Sequence, residues 1–212
     1  MYLPSLFEET RIEVLAGLIH EHPLATLITQ NDAGLVANHI PIEFDPAPAP
    51  FGILRGHVAR ANPVWRETVA GSEVLLVFQG PSAYVTPAWY ATKKQTGKVV
   101  PTWNYAVVHA RGPLVVRDDP VWLRAFLEKL TDRHESGRTA PWKVGDAPED
   151  FIRSQLRAIV GIEIPLTGLS GKWKMSQNRP PADREGVIRG LRERGGPSDA
   201  QIADGVRRGG RD

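Results

Sequence analysis

Cysteine is absent from the 212 residues, and that one absence removes disulfides, thiolate metal centres, iron–sulfur clusters and a cysteine nucleophile. Long apolar runs are missing as well: none approaches the roughly 18 residues that a membrane span requires. The first seven residues lack the basic and apolar regions of a secretory signal. An intracellular, cytoplasmic protein with no membrane partner is therefore expected. Several catalytic signatures are also lacking: no Gly-x-Gly-x-x-Gly follows a strand, and neither Gly-x-Ser-x-Gly nor His-Glu-x-x-His occurs. Residues 168–172 imitate a phosphate loop, but their glycines stand too close together and Trp173 occupies the place of the magnesium-binding hydroxyl.

Glycine and proline are plentiful, 20 and 18 residues, which implies many turns and a strand-rich body rather than a helical bundle. Charge is uneven. Residues 1–170 carry 16 Lys/Arg against 18 Asp/Glu, whereas residues 171–212 carry 10 against 6. The basic character of the chain, with a pI near 9.0, thus belongs to its tail and favours an anionic partner, a phosphorylated cofactor or a nucleic acid.

Residues 5–8, Ser-Leu-Phe-Glu, fit a capping box ahead of a helix whose apolar positions are Ile12, Leu15, Leu18 and Ile19. Strands at 24–30 and 35–44 around the turn 31–34 read as a hairpin. The proline-rich run 45–50 reads as an exposed connection. Further strands are expected at 53–58, 73–79, 83–86 and 99–111, with a short helix starting at Asn62 and Pro63 and a polar loop over 92–98. Asp119 and Pro120 cap a helix with the stripe Trp122, Leu123, Phe126, Leu127 and Leu130. A short helix near 149–156 and a last strand at 159–166 follow. About seven strands with irregularly placed helices predict an α+β antiparallel barrel over 1–170. The basic segment 171–212 then adds short helices at 183–194 and 198–206.

Of the six histidines, His20 and His22 are two apart and share no helix face, so no metal site is expected. His39 and His57 sit in strands among apolar neighbours. Each imidazole should have a specified partner, a core hydrogen bond or a ligand. Two stretches, 84–105 and 170–180, concentrate aromatic, amide and basic side chains. They suit stacking on a planar ring, reading its edge and neutralising a phosphate. Single-stranded nucleic acid or a dimer interface would use the same groups.

Taken together, a set of longer strings resembles the PaiB-like, FMN-binding negative transcriptional regulators. It comprises Met1 to Pro4 with Phe7, residues 37–41, residues 56–63, residues 84–90, residues 99–105 with 108–112, and residues 171–179. Thr86 stands where that family commonly has serine and keeps the hydroxyl. The resemblance implies a split β-barrel of the pyridoxamine-phosphate-oxidase type, a homodimer with flavin sites at the subunit boundary, and FMN as cofactor. It further implies that Asn38, His39 and Pro41 face the flavin, with His57, Arg60 and Asn62 near it. Thr102, Trp103 and Asn104 would contribute ring and ribityl contacts, and Lys172, Lys174 and Gln177 would reach the phosphate. Negative regulation of transcription is the implied function. The alternative is a flavin-dependent oxidoreductase of a small substrate or a haem-degrading relative, because flavin itself carries redox chemistry and few acid–base residues are needed. DNA is a third partner to weigh, since the two tail helices have the outline of a helix-turn-helix.

Overall fold

The computed structural model describes residues 1–48, 50–68 and 72–209. Ala49 of the proline-rich connection and residues 210–212 of the basic tail lie outside the described residues. In chain order the elements are β1 (Glu8–Glu9), α1 (Ile12–Glu21), β2 (Leu24–Asn31), β3 (Gly34–Pro41), β4 (Glu43–Asp45), β5 (Ile53–Ala59), α2 (Val64–Glu67) and β6 (Glu73–Val85). They continue with α3 (Thr92–Thr96), β7 (Thr102–Pro113), β8 (Val115–Arg117), α4 (Pro120–Glu135), α5 (Glu149–Arg157), β9 (Ile159–Pro165), β10 (Gly168–Lys174), α6 (Pro181–Arg194) and α7 (Asp199–Arg207). The chain divides into two compact units. The first is Met1–His22, Phe78–His109 and Ser170–Asp212; the second is Pro23–Val77 and Ala110–Leu169.

Within the second unit the hairpin expected at 24–44 is present. Its strands pair from Leu24↔Pro41 to Asn31↔Gly34, and β2 also pairs with β6 through Thr26↔Val77. A separate sheet runs in the order β4, β5, β9, β8. Alternation buries Leu54 and Val58 from β5 and Ile162 and Ile164 from β9. Asp119 accepts the amide of Val121 at 2.9 Å and Pro120 stands in the first helical turn, so α4 starts where the sequence places it. Its Leu123 joins Val144, Ile152 and Leu156 in one apolar cluster with Trp122 and Leu127 against it.

In the first unit the strands lie in the order β1, β10, β7, β6. Helix α1 covers one face with Leu15, Leu18 and Ile19. Helices α6 and α7 pack on each other and bury Val187, Leu191, Ile202 and Val206. Trp89 lies against α6 where two glycines make room: a Cβ at Gly190 would stand 2.2 Å from its indole, and one at Gly186 would stand 1.9 Å from its carbonyl oxygen.

Four expectations need correction. The capping box does not form: residues 5–7 make a 3₁₀ turn, and Glu8 and Glu9 are drawn into pairing with Lys172 and Gly171. Strand pairing thereby displaces the helix start to Ile12, whose helix has no side-chain cap bond. The polar stretch 92–98 is mostly helix rather than loop. The distant Asp183 carboxylate accepts both the amide (2.9 Å) and the hydroxyl (2.7 Å) of Thr92, supplying a cap that local sequence does not. Strand β9 is followed by β10, and ten strands are seen among the described residues rather than about seven.

Candidate functional site

In the second unit, Asn38 and Asn62 are brought together: the Asn62 amide donates to Asn38 Oδ1 at 2.8 Å, while Asn62 Oδ1 accepts the amide of Val64 at 3.0 Å. The second bond starts the short helix α2, as an asparagine at a turn does. Arg60 is heavily engaged. It forks onto Asp118 at 2.8 and 2.5 Å, and donates two further N–H groups to the carbonyls of Arg157 (2.7 Å) and Ile159 (3.0 Å). That set ties β5 to the start of β9 and leaves little donor capacity for a ligand.

His57 meets Phe126 edge-on with ring centroids 5.9 Å apart. Its Nδ1 is buried and without a hydrogen-bond partner among the described residues, so of the two expected partners the core hydrogen bond is not made at that atom. Burial pushes its pKa below the ordinary histidine value, so the imidazole is neutral at pH 7. His39 and Pro41 are exposed on β3. Packing in a core therefore does not hold His39, contrary to the apolar neighbours it has in sequence.

In the first unit, β10 brings Lys172 and Lys174 to one face, since side chains two apart on a strand point the same way. Lys172 is 8% exposed. Its ammonium donates to the Tyr2 carbonyl at 3.0 Å and lies 5.5 Å from the Tyr2 ring and 5.6 Å from the Tyr105 ring. Two aromatic faces thus compensate part of its desolvation. Lys174 donates to the Thr102 hydroxyl. Burial holds its pKa below the usual lysine value, and the charges of Lys172 and Arg179 push the same way. Arg179 stacks 4.6 Å over the Tyr90 ring. None of the three is paired with a carboxylate among the described residues. Three basic side chains without a carboxylate counter-ion form a setting an oxyanion would relieve, so the donor set fits a phosphate.

The remaining sequence-selected residues frame this group. Asn104 is fully buried, donating to Ser176 at 2.9 Å. Gln177 accepts the amide of Met175 and donates to the Trp173 carbonyl, both at 2.6 Å. These two fix the turn after β10, where Ser176 has a φ of 59°. Their side chains are spent on the protein. Trp103 is half exposed and meets Tyr84 edge-on at 6.2 Å, an aromatic surface open to solvent. Sequence reasoning missed Arg179 and Tyr105 as members of the cation group, although both lie inside the stretches it singled out. It also missed Tyr2, whose carbonyl reaches Lys172 only through the pairing of β1 with β10.

The family model described as "Putative FMN-binding domain" matches residues 1–168. An uncharacterized protein of Emericella nidulans is 36% identical over 243 residues, covering 98% of this chain and 96% of its own. The protease synthase and sporulation protein PAI 2 of Bacillus subtilis is 32% identical over 206 residues, with coverage of 96% and 95%. Among solved structures, the FAD and heme binding protein from Mycobacterium smegmatis matches with a TM-score of 0.58 at 22% identity, covering 79% of this chain and 73% of that one. The α+β antiparallel split-barrel class expected from the sequence is thereby upheld.

Proposed function

The chain belongs to the FMN-binding domain family that its residues 1–168 match, and from that membership we propose that it works as an FMN-binding homodimer of the PaiB-like regulator type. The observation that carries the cofactor's place is the cation group of Lys172, Lys174 and Arg179 with no carboxylate against it. Lys172 and Lys174 would hold the phosphate of FMN, and Thr102, hydrogen-bonded to Lys174, would orient the lysine. Asn104 and Gln177 act as positioning residues, fixing the turn through Ser176 and Met175. Trp103 offers a ring surface, and in the second unit Asn38, His39 and Pro41 offer polar edge groups on β3. When bound, FMN supplies redox chemistry that no side chain provides.

A second copy of the chain is the partner that suits β3. This strand ends the order β6, β2, β3 and contains no charged residue. It leaves Leu35 78% exposed across from Gln30 at the turn end of the hairpin, and Leu24 of β2 61% exposed across from Pro41 at the other end. Uncharged, apolar edge strands are ordinarily covered in native assemblies. Negative regulation of transcription is the role the PaiB-like resemblance implies, and the likeness to PAI 2 of Bacillus subtilis supports placing the chain in that group. Direct contact with DNA through the tail is disfavoured, because α6 and α7 spend their apolar residues inside the first unit. A flavin-dependent oxidoreductase is the second reading, favoured by the solvent-open Tyr84 and Trp103 pair, which leaves room for a planar substrate.

Titration of the apoprotein with FMN, followed by flavin fluorescence, tests the cofactor. Light scattering tests the dimer, and NAD(P)H consumption with a panel of acceptors separates the two readings. Saturable FMN binding by a dimer with little turnover is expected. A monomer that ignores FMN would sink the proposal, and rapid turnover would replace the regulator with the enzyme.

A further inference from the structure

The first unit contains a cavity of about 500 Å³ that the cation group does not use. Its floor is apolar: Val14 and Leu18 of α1, Ala106 of β7, Trp173 of β10, and Met175 just beyond it. Trp173 alternates with Lys172 and Lys174 along β10, and Ala106 alternates with Tyr105 along β7. The cavity and the cations therefore lie on opposite faces of the same strands. Helix α7 supplies a wall through Gln201, Asp204 and Gly205, from a segment beyond the 1–168 of the family match.

The polar groups around that floor are unevenly occupied. Glu9 holds Arg11 at 3.0 and 2.7 Å, and Asp204 is paired with Arg192 at 3.2 Å and Arg207 at 3.3 Å. Arg208 is the other cation on the wall. Glu21, in the last turn of α1, also faces the cavity and has no ion-pair partner among the described residues. Beside it, the Nε2 atom of His22 is buried without a hydrogen-bond partner. A carboxylate at a helix C-terminus is a place where negative potential from side chain and backbone adds. A volume of this size over an aromatic and thioether floor suits a small organic molecule.

We propose that this cavity is a second ligand site, separate from that of FMN, which takes a small amphipathic amine. Its flat apolar body would lie against Trp173 and Met175, its ammonium on the Glu21 carboxylate, and His22 and Gln201 would supply polar contacts. A regulator whose output depends on a metabolite needs such a site in addition to its resident cofactor.

The test uses the full chain loaded with FMN, and calorimetric titration with tryptamine, its neutral analogue indole-3-ethanol and the anionic indole-3-acetate. Two variants accompany the wild type. Gly17 lines the cavity with nothing within 4 Å of where a Cβ would stand, so the backbone there accepts a side chain and Gly17→Phe is chosen to occupy the cavity. Glu21→Gln removes only the charge. Tryptamine should bind saturably in the wild type, and roughly tenfold more tightly than either analogue, the value of one charge-assisted hydrogen bond. Glu21→Gln should erase that preference, and Gly17→Phe should abolish binding of all three. FMN titration should stay unchanged in both variants. The proposal is overturned by the absence of saturable tryptamine binding, by equal or tighter binding of the anion, or by wild-type binding in Gly17→Phe. Loss of FMN from Gly17→Phe would make the cavity part of the cofactor site and also overturn it. Failure of the wild type to bind FMN at all would count against the cofactor reading instead, since the tryptamine titration can be run without it.

Discussion

Two glycines on helices of the first unit should respond in opposite directions to the same substitution. In Gly190→Ala the new methyl would stand 2.2 to 2.4 Å from three atoms of the Trp89 indole, where carbon–carbon contacts settle near about 3.5–4.0 Å. The ring would have to retreat by more than about 1 Å. It is not free to do so without loss. Arg194 stacks 5.1 Å from the indole centroid, forks onto Asp199 at 2.7 and 2.5 Å, and donates to the Tyr84 carbonyl at 2.9 Å. Overpacking of this kind costs about 1–3 kcal/mol, and a forced break in the Arg194 bonds places this site toward the upper end. Replacing a helical glycine by alanine returns about 1 kcal/mol of backbone entropy, so the net loss is about 1–2 kcal/mol.

Gly17→Ala in α1 meets nothing within 4 Å and should keep the whole gain of about 1 kcal/mol. For a chain of this length each kcal/mol moves the melting temperature by about 2–4 °C. Thermal melts of the two variants beside the wild type should diverge, one upward and one downward. Trp89→Leu should rescue Gly190→Ala by removing the obstacle, a coupling that a double-mutant cycle reads directly. If Gly190→Ala melts at or above the wild type, the tight seating of Trp89 against α6 is wrong. The seating of residues 84–90 by the basic tail fails with it.

Other predictions concern charge. Lys172→Ala and Lys174→Ala should each weaken FMN binding about ten- to a hundredfold, the value of one charge-assisted bond to phosphate, measured by fluorescence titration. His57 has its pKa lowered by burial, so the unfolded chain takes up a proton near about pH 6.5 that the folded protein resists. Stability is thus complete above that pH and declines on acidification below it; His57→Leu should flatten the decline below about pH 6.5 in denaturant midpoints. His109, lowered in the same direction, retains part of the slope. Burial pushes the Glu163 carboxyl upward, but hydrogen bonds from Arg55 and Arg117 outweigh it and hold it below its ordinary value. Its stabilisation is present above about pH 4.5 and lost as pH falls through the folded pKa. Glu163→Gln should therefore cost about 1.5–3 kcal/mol at pH 7, the range for hydrogen bonds to a charged group, and show a shallower acid transition. An unchanged midpoint at pH 7 would contradict the ion-pair assignment.

The parts of the molecule legible in its sequence are those whose signals are local. Asp119 and Pro120 announce α4 because cap and first-turn proline act within one turn. The β2–β3 hairpin follows from alternation around a polar turn ending in Gly34, which adopts a φ of 119°. Helices α6 and α7 were legible from their apolar spacing and the break at Gly195. What escaped depends on partners far along the chain. Asp183 makes a helix of residues 92–96 from 91 residues away. Pairing with β10 turns Glu8 and Glu9 from a helix start into a strand. In the candidate site, the clustering of basic residues over 170–180 was readable in the sequence, but the commitment of Asn104, Gln177 and Arg60 to protein partners was not, because a side chain's remaining donors depend on the fold. The cavity under α7 was invisible in sequence, for its walls come from α1, β6, β7, β10 and α7.

The most direct test of the cofactor site is the ratio of affinities for FMN and riboflavin, which share the ring and the ribityl chain and differ in the phosphate alone. If Lys172 and Lys174 hold that phosphate, FMN should bind about a hundredfold or more tightly than riboflavin, as two charge-assisted bonds require, and the ratio should collapse in the double alanine variant. Equal affinity for the two flavins in the wild type would contradict the account.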